Sequence, residues 1–152
     1  MKTAPIEQFY IIGKAIRTTN EHGKSATDIP QLWTKFFSES SIAAIPNKID
    51  HTVYCVYTDY EKDHTRPYTT ILGCRVSSLD EIPEGFTGKV IEGGNYTQMQ
   101  AKGKTSEGIV FLEWVKIWSS DIPRRYTTDF EVYGAKAQDP ENAEVDIFVA
   151  VR

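Results

Sequence analysis

The sequence predicts an α+β fold in which two strand-helix-strand-strand units form one antiparallel sheet, with two helices on one face and a ligand cleft at the pseudo-twofold axis. Three observations predict it. The order of elements repeats along the 152 residues. The string Tyr54-Cys55-Val56-Tyr57 lies on Phe130-Glu131-Val132-Tyr133 at an offset of 76, the difference between 130 and 54. The same offset lays Tyr68 on Glu144, Thr70 on Asp146 and Leu72 on Phe148, so the two hairpins are expected to have equal connections. Cys55 and Glu131 then become equivalent positions, and the carboxylate is an asymmetry placed in a symmetric frame.

Phe9 to Arg17 is β-rich and reads as the first strand. Asp28 is a candidate N-cap and Pro30 suits a first helical turn, with Leu32, Trp33, Phe36 and Phe37 following at helical spacing. This predicts a helix over about Ile29 to Glu39. His51 to Tyr60 and Tyr68 to Val76 alternate and are rich in β-formers, which makes a hairpin. Gly88 to Lys102 is extended but interrupted by Gly93-Gly94, a bulge or bend between two pieces. Ser106 to Ser119 carries Ile109, Leu112, Val115, Trp114 and Trp118 at helical spacing. Tyr126 to Tyr133 and Val145 to Val151 close a second hairpin around Asp139-Pro140. The helices do not keep the register of the strands, since Trp33 to Trp114 is 81. One domain is expected over 1–152, with repeat one at about 1–78 and repeat two at about 86–152.

A net charge of −4 with no basic cluster beyond Arg124-Arg125 argues against a direct nucleic-acid partner and fits a cationic or neutral one. The N-terminus lacks the apolar core of a secretion signal, and no run approaches a membrane span, so a cytoplasmic protein with no membrane partner is expected. Cys55 and Cys74 read as buried free thiols. Neither stands at metal-ligand spacing from His22, His51 or His64, which read as surface histidines, and no metal or cofactor is expected.

On Tyr126 to Tyr133, side-chain alternation sets Asp129, Glu131 and Tyr133 on one face and Phe130 and Val132 on the other. Both faces carry bulk. Covered by helices, Glu131 is the floor of an acidic cleft with aromatic walls, Phe148 on the next strand among them. The plain alternative is a glutamate paired with Lys, Arg or solvent on an open sheet face. For Trp33, Phe36, Phe37 and Trp114 the plain alternative is core.

The segments Leu32 to Phe36, Val53 to Tyr60, Ile91 to Tyr96, Trp114 to Trp118, Asp129-Phe130-Glu131-Val132-Tyr133-Gly134 and Asp146-Ile147-Phe148-Val149-Ala150-Val151 resemble, in order, the gyrase-inhibitor-like (GyrI-like) effector-binding family. That family is also the ligand-sensing module of many bacterial transcription activators, including multidrug-responsive ones. The resemblance implies a cleft that binds a hydrophobic organic cation or other small molecule, with Glu131 at the position of the family's cleft glutamate. It implies Asp146 and Phe148 as further lining residues, and by residue type Tyr57, Tyr68, Tyr96, Trp33 and Trp118. The activators add a helix-turn-helix domain, which nothing in this sequence supplies, so a stand-alone binding protein used in sensing or sequestration is expected. Two alternatives come with the family. One is a hydrolase of strained cyclopropane-bearing compounds with Glu131 as base or nucleophile; the other is a protein partner contacted in the manner of a gyrase inhibitor.

Overall fold

The computed structural model describes residues 2–152. Eight strands form a single antiparallel sheet: β1 (Lys2–Ile6), β2 (Phe9–Thr18), β3 (Val53–Thr58), β4 (Tyr68–Val76), β5 (Thr87–Ile91), β6 (Gly94–Gly103), β7 (Arg124–Tyr133) and β8 (Ala143–Val151). The helices are α1 (Ser25–Ser38), the one-turn α2 (Ser41–Ala44) and α3 (Ile109–Trp118). Their order across the sheet is β1-β6-β8-β7-β3-β4-β2-β5. Reflected about the β7/β3 seam, this is one unit followed by its copy. Among the described residues no helix is long and apolar enough to cross a membrane.

At the seam β3 and β7 run antiparallel, with Val53 opposite Tyr133, Cys55 opposite Glu131 and Tyr57 opposite Asp129. Only one pair can be both 76 apart and directly opposed, and it is Cys55 and Glu131. Glu131 therefore sits on the pseudo-twofold axis.

The second hairpin departs from the expected register. Cys55 pairs with Leu72 on β4, but Glu131 pairs with Ile147 on β8, not with Phe148. The second connection is one residue shorter, and a one-residue slip turns every side chain of a strand to the other face. Phe148 stands opposite Phe130, with ring centroids 4.9 Å apart, on the face away from the helices. Asp146, two residues earlier, shares that face, where it accepts a hydrogen bond from Gln100 Nε2 at 2.7 Å and lies 3.5 Å from Lys136.

Each unit also exchanges its leading strand. β1 runs into β2 yet pairs with β6, and β5 runs into β6 yet pairs with β2. The bend expected at Gly93-Gly94 is thus a parting of ways to opposite ends of the sheet. A side chain at Gly93 would crowd the backbone of Gln8, at 3.0 Å, where the two crossing connections meet. β1 is a strand without a sequence signal: an edge strand that accommodates Pro5 and contributes only Ile6 to a core.

Two cores lie under the helices. Leu32 and Phe36 of α1 pack on Ile12, Cys55 and Leu72, while Trp114 and Ile117 of α3 pack on Val145, Ile147 and Val149. The third core, on the opposite face, has no helix. It contains Phe9, Ile11, Ile91, Tyr96 and Phe130, all buried. In a flat sheet β2 and β7 would be roughly 14 Å apart, three strand spacings. The Phe9 and Phe130 rings are 5.3 Å apart, so the sheet curls around this core and both of its faces become interior. That accounts for the bulk on both sides of β7.

Both helices differ from their expected limits. α1 begins a turn earlier than Ile29, so Asp28 is not its N-cap; Asp28 Oδ2 instead accepts from Thr18 Oγ1 at 2.9 Å, tying the helix to the end of β2. Gly108, at φ 67, separates a short turn at Thr105–Glu107 from α3. Leu112 and Val115 are exposed, because a helix apolar on all sides does not declare its buried face through its period.

Gly13 and Gly73 face each other across β2 and β4, and a methyl on Gly73 would stand 2.2 Å from the Ile12 carbonyl oxygen and 2.7 Å from the Gly13 Cα. Gly73→Ala should lower the thermal midpoint by about 3 to 10 °C through overpacking against backbone. Gly134→Ala, whose methyl would meet Thr52 at 3.6 Å, should change it much less when both are followed by circular dichroism.

Candidate functional site

The sequence places a tyrosine two residues after each axial residue: Tyr57 after Cys55, and Tyr133 after Glu131. Both hydroxyls converge on the carboxylate. Tyr57 Oη donates to Glu131 Oε2 at 2.8 Å, and Tyr133 Oη donates to Oε1 at 2.6 Å. A third donor comes from above, Trp114 Nε1 of α3, at 2.6 Å from Oε2. The rings repeat the symmetry of the sheet. Trp33 of α1 meets Tyr133 edge-on at 4.7 Å, and Trp114 of α3 meets Tyr57 edge-on at 5.5 Å. Each half supplies the tryptophan for the other half's tyrosine.

These side chains floor a cavity of about 370 Å³ between α1 and α3, a size in the range of small-molecule sites. Its walls add Ile29 and Pro30 of α1, Val110 and Phe111 of α3, and Trp118, Tyr60, Tyr68 and His64. Tyr68 is fixed by donating to Asn20 Oδ1 at 2.6 Å. The His64 and Trp118 rings lie parallel at 5.6 Å, joining the β3–β4 loop to the end of α3. His64, expected as a surface residue, is thus part of the wall.

Glu131 is 1 % exposed and forms no salt bridge among the described residues; only neutral groups donate to it. Burial pushes its pKa above the ordinary 4.5, while the bonds from Tyr133, Trp114 and Tyr57 pull it back. Burial also drives the Tyr57 and Tyr133 hydroxyls well above their usual range, with the nearby carboxylate adding to it, so both remain donors.

A second buried carboxylate makes the contrast. Asp129 Oδ2 receives Arg124 Nη2 at 2.7 Å and the Tyr60 hydroxyl, and Oδ1 receives the Ala150 amide at 2.9 Å. Arg124 reaches it because β7 is irregular between Arg124 and Asp129, with Tyr126 at φ 58. One buried anion is neutralised within the chain; the other is not.

Of the residues singled out from the sequence, Glu131, Tyr57, Tyr68, Trp33 and Trp118 meet in this cavity. Phe148, Asp146 and Tyr96 do not. The first two are turned away by the register slip, and Tyr96 lies in the third core, its hydroxyl donating to the Glu92 carbonyl at 2.7 Å. Tyr133, set beside Glu131 by strand alternation, is part of the wall, whereas Trp114, Tyr60 and Arg124 are not among the residues the sequence assigns to the site. The alternation that exposes Glu131 also points to Tyr133, and a buried indole N–H needs an acceptor, which points to Trp114.

A duplicated βαββ sheet with a walled aromatic cavity on its axis defines an effector-binding module of the gyrase-inhibitor-like type. The family model described as "Integron-associated effector binding protein" (Cass2) matches residues 5–151, and the chain belongs to that family. It is 32% identical to the integron cassette protein VCH_CASS2 from the mobile metagenome of Vibrio cholerae, covering 99% of this chain and 95% of that one, with a TM-score of 0.74. It is 28% identical over 127 residues to YobU of Bacillus subtilis (strain 168), a transcriptional regulator by name, covering 82% of this chain and 79% of that protein. The structure of SAV2435 bound to tetraphenylphosphonium shares the fold at a TM-score of 0.77 and 12% identity, covering 99% of this chain and 93% of that one.

Losing one donor to the anion should raise its pKa further. Trp114→Phe, which keeps a ring but removes the N–H, should move the Glu131 carboxyl further up in a 13C pH titration. An unchanged midpoint would show that the indole bond does not stabilise the charge.

Proposed function

We propose that this protein binds lipophilic organic cations in the cavity between α1 and α3, with Glu131 neutralising the charge and the surrounding rings supplying stacking, in sensing or sequestration. The observation that carries this reading is a carboxylate 1 % exposed, hydrogen-bonded by neutral donors and lacking an ion-pair partner among the described residues. A buried unpaired charge is expensive, and a ligand cation relieves that cost. Desolvated aromatic faces add roughly 0.5 to 2 kcal/mol each toward a cation. The ligand in the SAV2435 structure is a cation of this kind. Both oxygens of Glu131 already accept hydrogen bonds, which suits a held charge better than a base or nucleophile, so binding is favoured over hydrolysis.

Glu131→Gln should weaken tetraphenylphosphonium binding at least tenfold, measured by calorimetry or by quenching of the tryptophans, while leaving the neutral triphenylphosphine oxide within about twofold. Equal losses for both compounds would remove the electrostatic role.

The raised pKa of Glu131 sets the direction of a pH dependence. Cation affinity should be full above that pKa and fall as the carboxylate takes a proton below it, a dependence absent from Glu131→Gln. Stability runs the other way. A carboxyl raised in the folded state favours the protonated fold, so its ionisation lowers stability as pH rises through its range from about 4.5 upward. Chemical denaturation across pH 4 to 8 should show this loss in the wild type and not in the variant.

A further inference from the structure

The polar side chains around the cavity bond to the protein, not toward the open space. Tyr57, Tyr133 and Trp114 spend their protons on Glu131, at 2.8, 2.6 and 2.6 Å. Tyr68 and Ser25 spend theirs on Asn20 Oδ1, at 2.6 and 2.8 Å, and the Asn20 amide donates to the His64 carbonyl at 2.8 Å. Tyr60 donates to Asp129. Each of these donors belongs to a side chain that lines the cavity.

The acceptors are engaged in the same way. Glu131 accepts on both oxygens and is 1 % exposed, so a ligand in the cavity meets the rings and hydroxyls that enclose the carboxylate rather than the carboxylate itself. Among the described side chains of the wall, what remains for a ligand N–H is the spare lone pair of a neutral hydroxyl or the His64 ring. Organic cations fare differently in such a place. A primary ammonium carries three N–H groups that water satisfies, and unmade bonds at a buried charged donor are costly. A quaternary ammonium or phosphonium ion has no N–H to satisfy. It still feels the anion through space and the ring faces at close range.

Resting on the cation reading above, we propose that the cavity selects cations that carry no N–H. Quaternary ammonium, phosphonium and N-alkylated heteroaromatic ions bind in preference to protonated amines and guanidiniums of equal size. Glu131 supplies attraction without a direct bond, and the sealed shell of donors around it supplies the discrimination.

The test uses three isomeric ammonium ions that differ in their N–H groups: 4-benzylbenzyl-trimethylammonium with none, 2-(4-benzylphenyl)ethyl-dimethylammonium with one and 4-(4-benzylphenyl)butylammonium with three. By calorimetry at neutral pH, the wild type should bind the first roughly tenfold or more tightly than the third, the worth of one unmade bond at a charged donor, with the second between. Glu131→Gln should weaken all three by the same factor, to within about twofold, because the charge acts through space. Tyr133→Phe frees a lone pair on Oε1 and should narrow the gap to about threefold. Trp114→Phe, which frees one on Oε2, should do the same if the first variant disturbs the fold. Equal wild-type affinity for the three ions overturns the selection and leaves the cation reading standing. So does a loss on Glu131→Gln that is several-fold greater for the third ion than for the first, since it would mean an N–H bonded to the carboxylate. A gap unchanged in both donor variants assigns it to shape and overturns the selection as well. If Glu131→Gln weakens none of the three, or the wild type binds none, the cation reading falls and the selection with it.

Discussion

A negative charge held inside the protein, on the symmetry axis of a duplicated sheet, is the constraint on which the rest of the site depends. Glu131 is out of water and, among the described residues, has three strong neutral donors and no cation. Each charge-assisted bond contributes about 1.5 to 3 kcal/mol, which holds the ionised form within reach despite burial. The donors are placed by the fold's own repetition: two tyrosines from equivalent positions of β3 and β7, each braced by the tryptophan of the opposite half. The axis is where two such sets can converge on one group.

The symmetry is broken at that point. Cys55, the counterpart of Glu131, is a buried thiol whose pKa burial raises well above the usual range, with the neighbouring carboxylate adding to it, so it stays neutral beside the anion. Had both halves kept a carboxylate, like charges would face each other across the seam. A single anion in a duplicated cage of rings gives the cavity one charged point and a surround that is indifferent to direction.

Three features of the fold serve this arrangement. The sheet curls on its far face, so β7 is held from both sides and Glu131 has no route to solvent through the strand layer. The exchanged strands β1 and β5 bind each half to the other, which fixes the seam. The helices are set apart over separate cores, and the gap between them is the cavity.

Sequence periodicity and the offset of 76 were enough to establish the duplicated α+β order, the two hairpins and the equivalence of Cys55 with Glu131, because these depend on local propensity and on the alternation of side chains along one strand. Tyr57 and Trp33 were associated with the glutamate only by residue type, through the resemblance to the gyrase-inhibitor-like family. Which face Phe148 and Asp146 take, and where β1 and β5 pair, depended on a connection shorter by one residue and on a strand exchange, neither of which leaves a local signature. The ionic state of the cavity was decided later still. That Asp129 has an arginine and Glu131 has none follows from an irregular stretch of β7 and from contacts across the seam, between residues that no spacing along the chain relates.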